Sequence, residues 1–424
     1  MPGERAARDL IALGTALVLA FVLMARLGSW IQALPAFQTL VAIAFACFGW
    51  ALLRARGATV PRAGLLVFGV ALAARLALLP VSPSLSDDVY RYVWEGRVAA
   101  AGGDPWHQGP LDPRLASLRD GEIHPRINHP ELTTIYPPLA IAGFALVAAL
   151  SPTVWAMKLW VVLHDLALIA ILLAWVRRRG GAPLMVIAYA WNPLVVIEHA
   201  GSGHHDPTAI VWLVAAFAWA ERRPVLSALA LAAGVLVKLA PLVALPFLVP
   251  RWTPRARVVG VTLIALGLAW FWALTRGPQS GLDAYGRAWA NNELLFAYLL
   301  RLAGDPARAR AAALAALIAV LAGLVARRIE AAQATRQGLR AAFLLSPVAH
   351  PWYLAWVMVF EPLAPSAPWI LLSATAFLSY GVFATPDLGT SFHLPLAWRW
   401  LEYGLPAALA VVLAIGGRAR SASI

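Results

Sequence analysis

SDDVYRYVWEG, residues 86–96, opens a long polar passage that continues through GGDPWHQGP (102–110) and closes with INHPELTTIYPP (127–138). An apolar run ending at Pro80 precedes it, and another follows. The carboxylate pair Asp87 and Asp88 therefore stands where hydrophobic chain gives way to water-facing chain. Ionisable groups at membrane depth are costly and mark function by default. The passage thus sets both the architecture and the search for chemistry.

Outward from it the chain is mostly apolar. Hydrophobic residues make up 61% and charged residues 13% of the 424, against about 25% charged in a soluble domain. A hydrocarbon core of roughly 30 Å takes about 20 apolar residues per helix, and such runs recur from end to end. Strands of a membrane barrel would alternate apolar and polar residues; these runs do not. The expectation is an all-α polytopic membrane protein, one domain over 1–424, with about 12–14 membrane helices. The net charge of +13 sits in short loops, as the positive-inside rule describes. No basic stripe stands apart to suggest nucleic acid. Cys47 is the only cysteine, so no intrachain disulfide forms.

Arg54, Arg56 and Arg62 mark the turn between the second and third apolar runs as cytoplasmic. Three spans from a cytoplasmic N-terminus place 81–135 outside, as a large extracytoplasmic loop with juxtamembrane helices. Residues 136–150 read as a partly inserted segment, 183–198 as one outward span, and 339–349 as a segment rising to a break at His350–Pro351. Four polar sites then fall on the outer side: Asp87/Asp88, His204–His205–Asp206, Lys238, and His350–Tyr353.

Each site has a chemical and a structural explanation. If 87–100 is helical, Asp88, Arg91, Tyr92 and Glu95 share one face by the three-and-four spacing. That pattern reads as an amphipathic helix along the membrane surface. One of the two acids can serve as general base toward an acceptor hydroxyl, or the pair can cap the helix. His204, His205 and Asp206 can recognise a sugar or phosphate, assist the catalytic acid, or join the Asp pair around a divalent cation; Asp206 before Pro207 also suits a helix start. Lys238, in GVLVKLAPL, can bind an anionic phosphate as a point charge or snorkel to the interface. Arg91, Arg126 and Arg287 are further phosphate partners. In SPVAHPWYLAW (346–356), His350 marks a broken span of the kind that lines a cavity. Trp352 and Tyr353 there can stack on a sugar or pack against a prenyl chain, or belong to an interfacial belt. Tyr136 of TTIYPPL can donate a hydrogen bond, or its two prolines can simply fix a turn.

SDDVYRYVWEGRVAAAGGDPW, INHPELTTIYPPL, the HDP of 205–207, VLVKLAPL and LSPVAHPWYLAW, in that order, resemble the GT-C superfamily. The chain is most similar to bacterial polyprenyl-phosphate-mannose-dependent mannosyltransferases of the glycosyltransferase family 87 kind. The resemblance covers most of 63–363. It implies a polyprenyl-phosphate sugar donor, a lipid or glycan acceptor, and transfer with inversion at the extracytoplasmic face of the cytoplasmic membrane, among membrane lipids. It implies a base at Asp87 or Asp88 and donor contacts at Asp206, Lys238 and His350. It requires no cofactor, and leaves a divalent cation open. A secondary transporter or flippase, and a surface-glycan polymerase or ligase, are the competing readings. Charges gathered at one face rather than at the midplane favour the enzyme over the transporter.

Overall fold

The computed structural model describes residues 2–384 and 394–421. Seven helices are long and apolar enough to cross a membrane: Gly3–Ala25, Leu34–Ala55, Val154–Arg178, Pro254–Leu274, Pro306–Ala326, Ala367–Ala384 and Leu396–Gly416. Five shorter apolar helices join them: Ala63–Leu78, Pro138–Leu150, Pro207–Trp219, Pro224–Val237 and Ala240–Arg251. The described residues form no sheet, and the all-helical polytopic expectation holds. The expected number of crossings is reached only by counting the short helices as spans.

Rim and interior differ in what they bury. Pro254–Leu274 turns Val258, Leu266, Trp270 and Trp272 outward, and Pro306–Ala326 does the same with Leu314 and Ile318. In water these would form an apolar patch far larger than soluble monomers tolerate. Against lipid tails they are the surface that a spanning helix requires. Val154–Arg178 runs through the interior instead, with Met157, Val161, Asp165, Leu168 and Leu172 all buried along it.

The stretch expected as one outward span over 183–198 is instead two pieces. Pro183–Ala190 and Pro193–Gly201 meet at 57°. Asn192 makes the break: its Oδ1 accepts from the Leu194 N–H at 2.9 Å. Pro193 supplies a first-turn residue with no N–H to satisfy. The second piece ends in a single π-turn, Ile197–Gly201, a distortion common at functional sites.

A buried ion pair ties these elements together. Arg75 of Ala63–Leu78 donates to Asp165 through Nε at 2.9 Å, and its Nη2 lies 2.8 Å from the same oxygen. Its Nη1 bonds the Ala190 carbonyl at 2.6 Å, and the Tyr189 hydroxyl donates to Asp165 at 2.7 Å. Three chain segments thus converge on one carboxylate with no exposure.

Two local expectations are corrected. The helix Asp88–Ala100 does not lie along a surface; every residue from Val89 to Gly96 is buried. Its polar face meets a folded-back loop rather than water. Its other side presses on Pro138–Leu150 so closely that a Cβ on Gly96 would sit 2.4 Å from the Phe144 carbonyl. The segment leading to His350 begins well before 339, as the helix Ala331–Leu345. Glu330 starts it by accepting from the Gln333 N–H at 3.0 Å.

Candidate active site

The two acids differ in their surroundings. Ser86 Oγ accepts from the Asp88 N–H at 3.3 Å, while the Asp87 side chain makes no capping bond. Asp88 turns inward. Its Oδ1 accepts from Asn128 Nδ2 at 3.0 Å, and its Oδ2 lies 3.9 Å from His204 Nε2. Asp87 faces outward. Loss of hydration and then the charge of Asp88 raise its carboxyl above the ordinary range, against the pull of Arg126.

Arg91 and Glu95 hold the loop that brings Asn128 to Asp88. Arg91 donates to Glu95 Oε1 through Nε and Nη2, at 3.0 and 2.8 Å. It donates also to the carbonyls of Asn128, His129 and Leu132, at 3.1, 2.9 and 3.1 Å. Those bonds use every N–H of a guanidinium. The expected phosphate contact at Arg91 is therefore corrected to a clamp on 128–132. Glu95 Oε2 accepts from the Thr134 hydroxyl at 2.6 Å, extending the clamp. Arg126 and Arg287 are engaged elsewhere, with the Tyr90 hydroxyl at 2.9 Å and Asp283 at 2.6 Å.

The loop 202–206 needs its glycine. Gly203 has φ +81, and a Cβ there would meet Lys158 Cγ at 3.0 Å and Val89 Cγ2 at 3.2 Å. The three residues that follow point to different partners. His204 stacks flat on Trp352, ring centroids 3.8 Å apart, and Trp352 stacks on His350 at 4.1 Å. His205 turns into an aromatic nest of Tyr92, Tyr136 and Phe144, at 4.9, 5.1 and 5.2 Å. Tyr136 thus sits beside His205, in the packing under the site. Asp206 does not cap the helix that follows it. It accepts instead from Lys238 Nζ at 2.7 Å and from Trp356 Nε1 at 2.6 Å.

Lys238 ends Pro224–Val237 in extended backbone, φ −157 and ψ 140, three residues before Pro241. Its pairing with Asp206 replaces the snorkelling explanation. Its Nζ also lies 5.1 Å from the centre of the Tyr353 ring, a cation–π distance, and the Tyr353 hydroxyl is 3.0 Å from that of Tyr285. His350 is extended, φ −64 and ψ 148, as the residue before a proline must be. That geometry lets Trp352 slide between two histidines. The four polar sites expected on one side are thus linked by continuous contacts, Asp88 to His204 to Trp352 to Tyr353 to Lys238 to Asp206.

Polar atoms without a protein partner concentrate here. Glu198 Oε2, Ser202 Oγ, both ring nitrogens of His204, His205 Nε2 and Asp206 Oδ2 are all buried and make no hydrogen bond within the chain. Each such atom costs about 1–3 kcal/mol, so this region gives up stability for something other than folding. Among the described residues, no three His, Cys, Asp or Glu groups converge as they would around a metal ion. Asn128, Trp356, Tyr285 and Tyr380 were not expected in the site. Asn128 lay within the quoted INHP; Tyr380 had no local signal at all.

A polytopic helical membrane protein that brings together a half-buried acid, a paired lysine and stacked aromatics has the parts of a glycosyl-transfer enzyme. The model of the family described as Alpha-(1->6)-mannopyranosyltransferase, N-terminal domain, matches residues 10–254. That is more than half of the chain, and the chain belongs to this family of mannosyltransferases. The resemblance drawn from the sequence motifs is borne out at that level. No curated protein and no solved structure matches significantly. Mannosyl transfer from a sugar donor to a glycan acceptor is the activity that the family defines. Residues 350–356 and 380 lie beyond the matched segment.

Proposed function

We propose that the protein is an inverting mannosyltransferase that takes mannose from a polyprenyl-phosphate donor. It works at the extracytoplasmic face of the cytoplasmic membrane and passes the sugar to a hydroxyl of a glycan or glycolipid. Asp88 is the base, because it faces the stacked rings while Asp87 faces out. It removes the acceptor proton as the oxygen attacks the anomeric carbon from the side opposite the phosphate. Lys238 is the cation for the leaving phosphate, where developing charge is greatest. Tyr353 offers its ring to the sugar. The sugar stacking expected of Trp352 is corrected to packing, because His204 and His350 cover both of its faces, and His205 and Tyr136 support the loop from below. On this reading the charge on phosphate is met by the lysine and no metal takes part.

The observation that carries the proposal is the unbroken line of contacts from the Asp88 carboxylate to the Lys238 ammonium. An inverting displacement needs one base and one phosphate-binding cation on either side of a sugar. Arginine-rich turns at the other ends of the spans support the outer face, and a lipid donor suits a site walled by apolar helices.

The test is a donor panel on purified protein in detergent, read by mass analysis of the lipid products. Polyprenyl-phosphate mannose should serve, and nucleotide-linked mannose and diphosphate-linked sugars should not. Turnover of nucleotide-linked mannose with none of the polyprenyl phosphate would overturn the proposal.

A further inference from the structure

From His204 a branch of polar contacts also runs to Glu198 and Tyr380. His204 presents Nε2 to Asp88 Oδ2 at 3.9 Å, and its Nδ1 lies 3.1 Å from Glu198 Oε2, approaches at ion-pair distance rather than hydrogen bonds. Glu198 is itself held: its Oε1 accepts from the Tyr380 hydroxyl at 2.5 Å. Its backbone carbonyl accepts from the His204 N–H at 3.0 Å. His204, Glu198 and their contact have no solvent exposure. The Trp352 ring, 15° from parallel and 3.8 Å away, fixes the plane of the imidazole.

A buried carboxylate beside one ring nitrogen selects the tautomer with the proton on that nitrogen. Nδ1–H then faces Glu198, and Nε2 offers its lone pair to Asp88. Packing alone would not require this: a histidine kept only for its ring face needs no acid on either side.

We propose that Asp88 and His204 form a proton relay, in which His204, oriented by Glu198, holds the acceptor proton until the product leaves. The inference rests on the reading of Asp88 as base. In the transfer step, the acceptor O–H bond breaks, its oxygen forms the bond to the anomeric carbon, and the bond from that carbon to the phosphate oxygen breaks with its electron pair. The acceptor proton goes to Asp88. It then passes from Asp88 to His204 Nε2, restoring the carboxylate and leaving an imidazolium between two acids. Once the product has left, the imidazolium returns the proton to Asp88, whose side chain is 27% exposed, and from there it passes to water with no other reactant. A shift of about 1 Å brings Asp88 within proton-transfer reach of Nε2, a closure usual between free and substrate-bound sites. Glu198 and Tyr380 act through His204 and are positioning residues.

The experiment compares full-length His204→Gln, Glu198→Gln and Asp88→Asn in steady-state assays with polyprenyl-phosphate mannose, each checked for monodisperse elution. His204→Gln keeps a polar side chain of similar reach but cannot take up the proton. Its kcat should fall about 100-fold, within the usual range for a lost proton-transfer group, with KM within about twofold. Glu198→Gln should lose kcat in the same sense but less. His204→Ala, assayed with added imidazole, should regain activity. Should His204→Gln keep kcat, or lose only KM, or should imidazole leave His204→Ala unmoved, the relay is wrong and the ring is packing. Asp88→Asn inactive beside a fully active His204→Gln would remove the relay and leave the base; an active Asp88→Asn would remove both.

Discussion

Lys238 donates to Asp206 at 2.7 Å, joining the end of one short apolar helix to the start of another. Asp206 is fully buried, and the lysine side chain is 22% exposed. The pair is therefore open on the lysine side only, which is the side a phosphate can approach. Replacing Lys238 by Met strands a buried carboxylate, at about 3–5 kcal/mol. Lys238→Met should lower the melting temperature and abolish transfer. Adding Asp206→Asn should recover most of the stability and none of the activity. Recovery of both in the double variant would show that the lysine serves folding alone.

Asp88→Asn should cut kcat by at least about 100-fold, the lower end of what a general base contributes. Asp87→Asn should lose far less, since its side chain points away from the stacked rings. Equal losses in the two single variants would undo the assignment of the base to Asp88.

Asp87 also makes a prediction about pH. Its carboxyl is raised by lost hydration and by Asp88, so the fold prefers it protonated. That contribution is full below the ordinary carboxylate range and is lost as pH rises through the raised value. Asp87→Asn should then raise the melting temperature at neutral pH and leave it unchanged in acid. A melting-temperature difference that grows as pH falls would contradict the shift.

Arg91→Lys keeps the charge but supplies three donors in place of five. The 128–134 loop should come loose, with hydrogen exchange rising across it and kcat falling because Asn128 no longer holds Asp88. The stability loss should be about 1.5–3 kcal/mol, the range for a hydrogen bond to a charged group. Unchanged exchange in that loop would mean that other contacts hold it.

Prolonged chelation followed by gel filtration into metal-free buffer should leave transfer intact. Loss of activity restored by added magnesium or manganese would show that a cation joins Asp88 once donor is bound.

How much of this was legible depended on the distance over which each feature is decided. Membrane helices announce themselves within a window of some twenty residues, so the all-helical architecture could be read directly. The grouping of Asp88, His204, Lys238 and His350 was legible too, because arginine-rich turns count off the sides of the membrane. The bend at Asn192–Pro193 carried a local sign, a turn-forming dipeptide inside an apolar run. The apolar residues on both sides of the dipeptide mask it. Arg91 could not be read: its role depends on where 128–132 lies, and nothing near residue 91 encodes that. The same holds for Asp88–Ala100, whose charges suggested water but meet a loop. Glu198 and Tyr380, or Arg75 and Asp165, are joined only by tertiary structure.

Trp352 wedged between His204 and His350 has a consequence for how the chain is made. Asp206 waits for Trp356, and Glu198 waits for Tyr380. While the ribosome is still working through the last third, the nascent first half must carry both acids in the membrane short of these partners. Such intermediates are the natural clients of insertion chaperones, and a stop codon after the matched segment should yield protein destined for degradation rather than a smaller enzyme.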